Sequence, residues 1–565
     1  MTQTESAISF RYTKQLRGWL SYAFASEVFV IVSLTLFLPI CLEQFARDNG
    51  FLLPDRTKPC TSPPNNATPS ESDRGRCVVK IGWLWIDSAS FSLYVYSISV
   101  ALQALTVISM GSIADHPPHR KRLLLAFAFL GAAAAALFLA LPSTSAVWLL
   151  SAILAVFANV GFGASVVAMN AYLPSLARIS PEVILLLEEL ENAPDSVIID
   201  NEDSANITSE EPLLPSPLPN ETTQGVRKQY DIALSNAISR ISSLGIALGY
   251  SAGIILLILA LIPVTNLHGS TFSLRLAVGL SGIWWAVFSI PAALWLPSSS
   301  SVPANANPAW VDGSETEPTN DKWHIRRQVA AAWKRLGGML RWREIKRLRN
   351  TFKYLAAWFL LSDGFTTITS TAVLFGKTTL HMQPSALILV GVLTPTSGII
   401  GSLVWPVLQR RYKWSNLKVL IILVMLASLM PAYGCFGFLP ILKGNGRFGG
   451  LTTQGELFGL AVFFGFVYGA FQSYARAFYA ELLPPGEEAR WYGLFSITDK
   501  SSSFLGPLIV GLIADGTGNI RYAFFFLVFM IWLAVPILMN VNVERGRSDA
   551  RAYHYQAVGE IYVSR

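Results

Sequence analysis

What most constrains this chain is a series of a dozen apolar runs, each about twenty residues or longer, separated by polar connectors. A helix needs about 20 apolar residues to cross a hydrocarbon core ~30 Å thick. The runs lie near 19–41, 88–113, 123–141, 146–173, 232–262, 276–296, 353–376, 386–408, 418–440, 457–482, 492–513 and 521–540. Only 14% of the 565 residues are charged, against roughly 25% in a soluble domain, so the surplus of apolar side chains needs a lipid solvent. The net charge of +7 sits largely in connectors between apolar runs. That is a topology signal and gives no reason to expect nucleic acid as a partner.

Orientation follows from where those cations fall. Arg120, Lys121 and Arg122 follow run 2, Arg410, Arg411 and Lys413 follow run 8, and a basic stretch at 322–353 precedes run 7. All three lie on one side, predicted cytosolic, which places both termini (1–18 and 542–565) there and loop 42–87 in the lumen or exterior. That loop carries the glycosylation acceptor Asn66-Ala67-Thr68. Asn206 and Asn220 lie in acceptor patterns on the cytosolic side and read as chance matches. Cys60 and Cys77 share the potentially oxidising loop, and the sequence leaves a disulfide and two free thiols equally open. Cys41 and Cys435 read as packing residues. No metal site and no cofactor is expected.

The chain then divides into 19–174 (runs 1–4), an acidic, Pro-rich loop 175–230 expected to be disordered, 231–296 (runs 5 and 6), a linker 297–352, and 353–541 (runs 7–12). Within the linker, 322–349 is expected to form an amphipathic helix on an anionic lipid surface, with a solvated linker as the alternative. Glu210-Glu211-Pro212-Leu213-Leu214 approximates an acidic dileucine sorting signal and Tyr555-Gln556-Ala557-Val558 a tyrosine-based one. Random occurrence is the better explanation of both.

An internal repeat relates runs six apart. Asn170-Ala171-Tyr172-Leu173-Pro174 ends run 4, and Tyr479-Ala480-Glu481-Leu482-Leu483-Pro484 ends run 10. Each is followed by an acid, a base, two serines and a glycine: Asp231, Arg240, Ser242, Ser243 and Gly245 in the first half, Asp499, Lys500, Ser502, Ser503 and Gly506 in the second. Two parallel six-helix halves leave such a trace. Polarity has a period of three runs. Runs 3, 6, 9 and 12 hold almost no strongly polar side chain. Runs 1, 4, 7 and 10 hold Glu27; Asn159, Ser165 and Asn170; Asp363 among five Ser and Thr; and Gln472, Ser473 and Arg476. An ionisable group in hydrocarbon costs roughly 2.5–3.5 kcal/mol on insertion scales, so these side chains should face a cavity or each other. The predicted fold class is an all-α membrane protein with twelve transmembrane helices in two pseudo-symmetric halves, its polar path lined by the first helix of each three-helix unit.

Gly245, Gly249 and Gly253, and Gly465, Gly469, Ser473 and Ala477, form small-residue ridges four apart, which permit close helix packing. Gly249-Tyr250-Ser251-Ala252-Gly253 also spells G-x-S-x-G. A nucleophile elbow needs a strand-to-helix turn and this pentapeptide lies inside an apolar helix, so a lipid hydrolase using Ser251 is a minor alternative.

Several of these segments carry a family resemblance. Arg17-Gly18-Trp19 through Ser21-Tyr22-Ala23-Phe24-Ala25-Ser26-Glu27 resembles the opening of the autophagy-related protein 22 family of fungal vacuolar amino-acid effluxers, a branch of the major facilitator superfamily. Ser242 through Tyr250 and Tyr492 through Lys500, continuing to Asp515-Gly516-Thr517-Gly518, are similar to the same family. The loop motif G-x-x-x-D followed by basic residues is matched by Gly111, Asp115 and Arg120–Arg122, with His116-Pro117-Pro118-His119 inserted.

The resemblance implies a major facilitator fold in the vacuolar membrane and export of leucine and similar amino acids, without enzymatic activity. A zwitterion needs an anion for its ammonium and a cation or helix terminus for its carboxylate. The substrate-binding candidates are Glu27, Asn159, Asn170, Asp363, Gln472 and Arg476, and Asp363 is also the proton-coupling candidate. Asp115, Asp231, Arg240, Glu481, Asp499 and Lys500 are gate candidates, with Arg240 and Lys500 expected in cross-half or helix-to-helix ionic contacts. A non-transporting scaffold that recruits partners through its cytosolic loops is the other alternative. Oligomeric state is open.

Overall fold

The structure, a computed structural model, describes residues 3–54, 56–60, 76–114, 117–191, 221–267, 270–297, 325–438, 449–484, 488–550 and 552–553. Helix α1 (Gln3–Val28) passes through a π-helical stretch (Phe29–Phe37) into α2 (Leu38–Asp48). The first apolar run is therefore the middle of a longer rod. A three-stranded antiparallel ribbon follows, β1 (Phe51–Leu52), β2 (Cys77–Ile81) and β3 (Leu84–Asp87), in the order β1-β2-β3. Its register pairs Leu52 with Cys77 and Val78 with Asp87. Gly82, at φ 61°, makes the left-handed turn between β2 and β3, and a disulfide joins Cys60 to Cys77.

The first half continues with α3 (Ser88–Ala114), α4 (Pro117–Leu137), α5 (Leu150–Asn170), the short α6 (Leu173–Arg178) and α7 (Pro181–Glu191), then α8 (Glu221–Asn266) and α9 (Thr271–Trp295). In the linker stand α10 (Ile325–Met339) and α11 (Trp342–Arg347). The second half holds α12 (Arg349–Thr378), α13 (Pro384–Tyr412), α14 (Asn416–Phe436), α15 (Gln454–Ala480), α16 (Glu488–Ser502), α17 (Leu505–Thr517) and α18 (Ala523–Met539). Local chemistry sets several ends. Ser270, Ser415 and Thr453 accept the first-turn amides of α9, α14 and α15, and Gly518, at φ 73°, closes α17.

Within each half the helices pack around aromatic cores, such as Phe29 on Trp285 (centroids 5.3 Å apart) and Phe365 on Phe471 (4.0 Å). The halves meet along two seams, α3 against α16 and α17, and α8 against α13. By the six-run repeat, α3 matches α13 and α8 matches the α16–α17 pair, so the seams are related by the pseudo-symmetry. Both glycine ridges are packing surfaces. A Cβ on Gly245, Gly249 or Gly253 would meet Trp19, Glu27 or Ile31 of the first rod, and one on Gly465 or Gly469 would meet the α13 backbone.

Three expectations change. Residues 42–48, read as loop, are helical, because Glu43 is buried and neutralised by Arg47 one turn on and by Lys377 of α12, which only tertiary contact supplies. Part of 175–230, read as disordered, is helical in α6, α7 and the start of α8, while 192–220 lies outside the described residues. Run 11, read as one span, is two helices of 15 and 13 residues interrupted after Ser502. Eleven helices among the described residues are long and apolar enough to cross a bilayer, and this interrupted run is not among them.

Candidate functional site

Glu27 lies half-buried on α1, one residue before the π-helical stretch begins to widen at Val28–Phe29. Its side chain occupies the space left by Gly249 of α8. The charges that act on it are Lys500 of α16 and Arg476 of α15, both from the opposite half. Tyr250 of α8 is within electrostatic range of Glu27, Tyr468 and Arg476. Gln472 Nε2 donates to the Tyr468 hydroxyl at 2.8 Å. Arg476 is exposed although it lies inside an apolar helix and interacts with both Glu27 and Tyr250, so its face of α15 opens on the space between the halves. An anion, a cation, an amide and two phenols thus converge from α1, α8, α15 and α16. Tyr250 and Tyr468 were not singled out from the sequence, where a tyrosine at helical spacing is indistinguishable from core.

Other predicted site residues are committed elsewhere. Asn159 is buried in a clasp between α3 and α5. It accepts from Gln103 Nε2 at 3.1 Å and donates to Ser99 Oγ at 2.7 Å, so its amide holds helices together. Asn170 is exposed at the end of α5. Asp363, 2% exposed, accepts the Gly506 amide at 3.0 Å and the Thr367 hydroxyl at 3.3 Å. It caps the N-terminus of α17 from a neighbouring helix, where the helix dipole favours an anion. In both halves a carboxylate of the first crossing faces a glycine of the fifth, Glu27 under Gly249 and Asp363 against Gly506.

Of the cross-half or helix-to-helix contacts expected at the gate, Glu481 and Asp499 make none between the halves among the ion pairs and side-chain bonds of the described residues. Glu481 pairs with Arg547 at 2.6 Å and accepts from Asn416, and Asp499 accepts from Ser362 and pairs with Lys500 at 3.3 Å. All of these partners belong to the second half, its linker-side helix or its tail, because each acid finds a nearer donor there. Lys500 acts across the seam, through its charge, on Glu27. Asp115 and Asn66 lie outside the described residues, as do the side chains of Asp231 and Arg240. Ser251 lies inside α8 and donates to its own helix at Ala247 O, 2.8 Å, which removes the strand-to-helix turn a nucleophile elbow requires.

Among the described residues, both salt bridges between the halves lie at the ribbon end. Glu43 of α2 is fully buried. It pairs with Lys377 of α12 at 2.5 Å and with Arg47 at 2.9 Å, and accepts from Ser88 Oγ at 3.2 Å. Lys377 also donates to Ile40 O at 3.0 Å and Gln44 Oε1 at 3.2 Å. The second contact runs from Arg76, beside the disulfide, to Asp515 at the end of α17. Its guanidinium spans Asp87 Oδ2 (2.8 Å), Ala514 O (3.2 Å) and Asp515 Oδ1 (3.3 Å), and the Asp87 amide donates to Asp515 Oδ1 at 3.0 Å. Burial pushes the Asp87 carboxyl above the ordinary aspartate range, outweighing its bonds from Arg76 and Ala89. Sequence reasoning missed this cluster. Its only signal was Lys377, a cation closing an apolar run at the end where cations are scarce.

This geometry agrees with what the chain is similar to. It is 40% identical to autophagy-related protein 22 of Cryptococcus neoformans var. neoformans, over 95% of this chain and 96% of the relative. It is likewise 40% identical to autophagy-related protein 22-1 of Neosartorya fischeri, over 95% and 91%. Among solved structures, a POT family transporter in complex with thioalcohol conjugated peptide superposes with a TM-score of 0.52 at 14% identity, over 93% of this chain and 94% of that one. A POT family transporter in complex with 5-aminolevulinic acid gives 0.51 at 11%, with the same coverage. These likenesses show the fold alone, a helical membrane bundle built from two halves. The family described as "Vacuole effluxer Atg22 like" matches residues 11–551, and the chain belongs to that family: a multi-pass transporter of the vacuolar membrane, not an enzyme.

Proposed function

We propose that the chain exports neutral amino acids, leucine among them, from the vacuolar lumen to the cytosol by alternating access between its two halves. In this reading both termini and the linker are cytosolic, the disulfide-bonded ribbon is lumenal, and the α16–α17 pair makes the eleventh of twelve crossings. The observation that carries it is the opposed pair of charges across the central seam. In this reading Glu27 holds the ammonium of a zwitterion and Arg476 its carboxylate, with Tyr250, Tyr468 and Gln472 nearby. The two salt bridges at the ribbon end hold the lumenal side shut, while Glu481 and Asp499 make their bonds within one half. Such an arrangement fits a state from which substrate leaves to the cytosol. Lys500 adds the charge that would hold Glu27 when the seam is empty.

The test is efflux of radiolabelled leucine from proteoliposomes, with and without a pH gradient. Glu27→Gln and Arg476→Gln should each lower efflux about tenfold, about 1.4 kcal/mol, with normal membrane insertion. Wild-type efflux in both variants would remove the two residues from the binding site.

A further inference from the structure

At the end of the bundle opposite the ribbon, α12, α16 and α18 form an open, shallow groove of about 440 Å³. Leu340, Phe352, Ala356, Phe359, Leu494 and Ile537 form its walls. Its single hydroxyl, Thr498, is spent on Leu494 O of its own helix at 2.8 Å, so the groove has nothing to offer water. Directly above it turns the α10–α11 elbow. Leu340 is both a wall of the groove and the neighbour of Arg341, so the apolar seat and the elbow are contiguous.

The elbow is strongly cationic. Residues 322–353 hold eleven Lys and Arg against one acid, Glu344, and that acid pairs with Arg347 at 3.7 Å. Arg341, Arg343, Lys346 and Arg349 are exposed around it. Trp342, 70% exposed, stands beside them with Lys346 over its ring at 5.7 Å, a side chain suited to the headgroup level. The elbow is also held in place. Trp333 Nε1 donates to Ser109 Oγ of α3 at 3.2 Å, and Leu348 is fully buried after α11. The linker thus crosses from the first half to the second above the groove.

We propose that this is a seat for one anionic glycerophospholipid, with an acyl chain in the groove and the headgroup phosphate on the Arg341–Arg349 elbow. Neither feature alone selects it. An uncharged groove accepts any lipid tail, and a polybasic segment without a groove binds an anionic surface diffusely and is screened by salt. Their contiguity selects a lipid that carries both parts. The leaflet is cytosolic on the orientation proposed above, but the binding itself does not depend on that orientation or on the substrate.

The experiment uses the full chain in nanodiscs of phosphatidylcholine alone or mixed with phosphatidylserine, with retained lipid counted by native mass spectrometry at low and high salt. One phosphatidylserine should be retained in preference to phosphatidylcholine, and retention should survive salt. Arg341→Gln with Lys346→Gln should lower that retention about tenfold. Ala356→Trp, which fills the groove without altering charge, should do the same. Leu340→Asn, at the exposed rim, replaces it if the larger side chain prevents folding. Equal retention of both lipids, unchanged retention with the groove filled, or loss of wild-type retention in high salt overturns the seat. Leucine efflux unaffected by the Glu27 and Arg476 variants would leave this result standing, so the two readings fail separately.

Discussion

At Glu43 one buried carboxylate meets two cations and a hydroxyl, and the balance there decides how firmly the ribbon end is closed. The side chain has no exposed surface, so its charge is tolerable only while Lys377 and Arg47 remain. Removing one partner of a buried pair costs about 3–5 kcal/mol. Lys377→Met should therefore lower the melting temperature sharply, and Glu43→Gln in the same chain should recover most of the loss. A double variant as unstable as Lys377→Met would show that the lysine acts through its backbone contacts at Ile40 instead. At Asp87 the dependence is on pH. Its carboxyl binds a proton more tightly folded than unfolded, so its contribution to stability is full below the ordinary aspartate pKa of about 4 and is lost as pH rises through the raised value. Asp87→Asn keeps the acceptor for the Ala89 amide, bound at 2.9 Å, but no longer titrates. It should flatten the fall in melting temperature above about pH 4, and a curve parallel to wild type would assign the pH dependence to other groups.

At the scale of elements, the interruption between α16 and α17 is the unusual feature. Ending a helix inside an apolar run frees backbone groups, and these are met by nearby serines and by two neighbouring helices. Ser502 and Ser503 donate to Asp499 O at 2.9 and 2.7 Å, Ser97 donates to Phe504 O at 2.7 Å, and Asp363 takes the Gly506 amide. The cap defines a test for Asp363. Asp363→Asn retains an oxygen for Gly506 and should keep fold and efflux within a few-fold, whereas Asp363→Ala loses the cap at a cost of about 0.5–2 kcal/mol and lowers efflux. If Asp363→Asn instead abolishes the response of efflux to a pH gradient at normal abundance, the carboxyl itself carries protons and the cap is secondary.

For the whole molecule, two seams related by pseudo-symmetry join the halves while the ribbon ties one end. The proposed orientation makes a definite prediction: if the ribbon is lumenal, Asn66 in its loop should carry the glycan, and glycosidase treatment of wild type but not of Asn66→Gln should shift the mobility. A glycan on Asn206 or Asn220 would invert the map.

The apolar runs, their lengths, the six-run repeat and the three-run rhythm of polarity were legible because burial in lipid acts on each segment separately and writes its demand locally. Glu27, Gln472 and Arg476 stood out on the same ground, as polar groups in places where a polar group is costly. What each polar group does was decided only by tertiary structure. Glu43 and Lys377 are 334 positions apart, and Asp363 and Gly506 are 143. No periodicity links such pairs, so Glu43 read as part of a loop, Asp363 as a substrate-binding and proton-coupling candidate, and Glu481 and Asp499 as gate candidates with no partner fixed. An ion pair forms with whichever opposite charge the packing brings within a few ångströms, and that distance exists only once the helices are assembled.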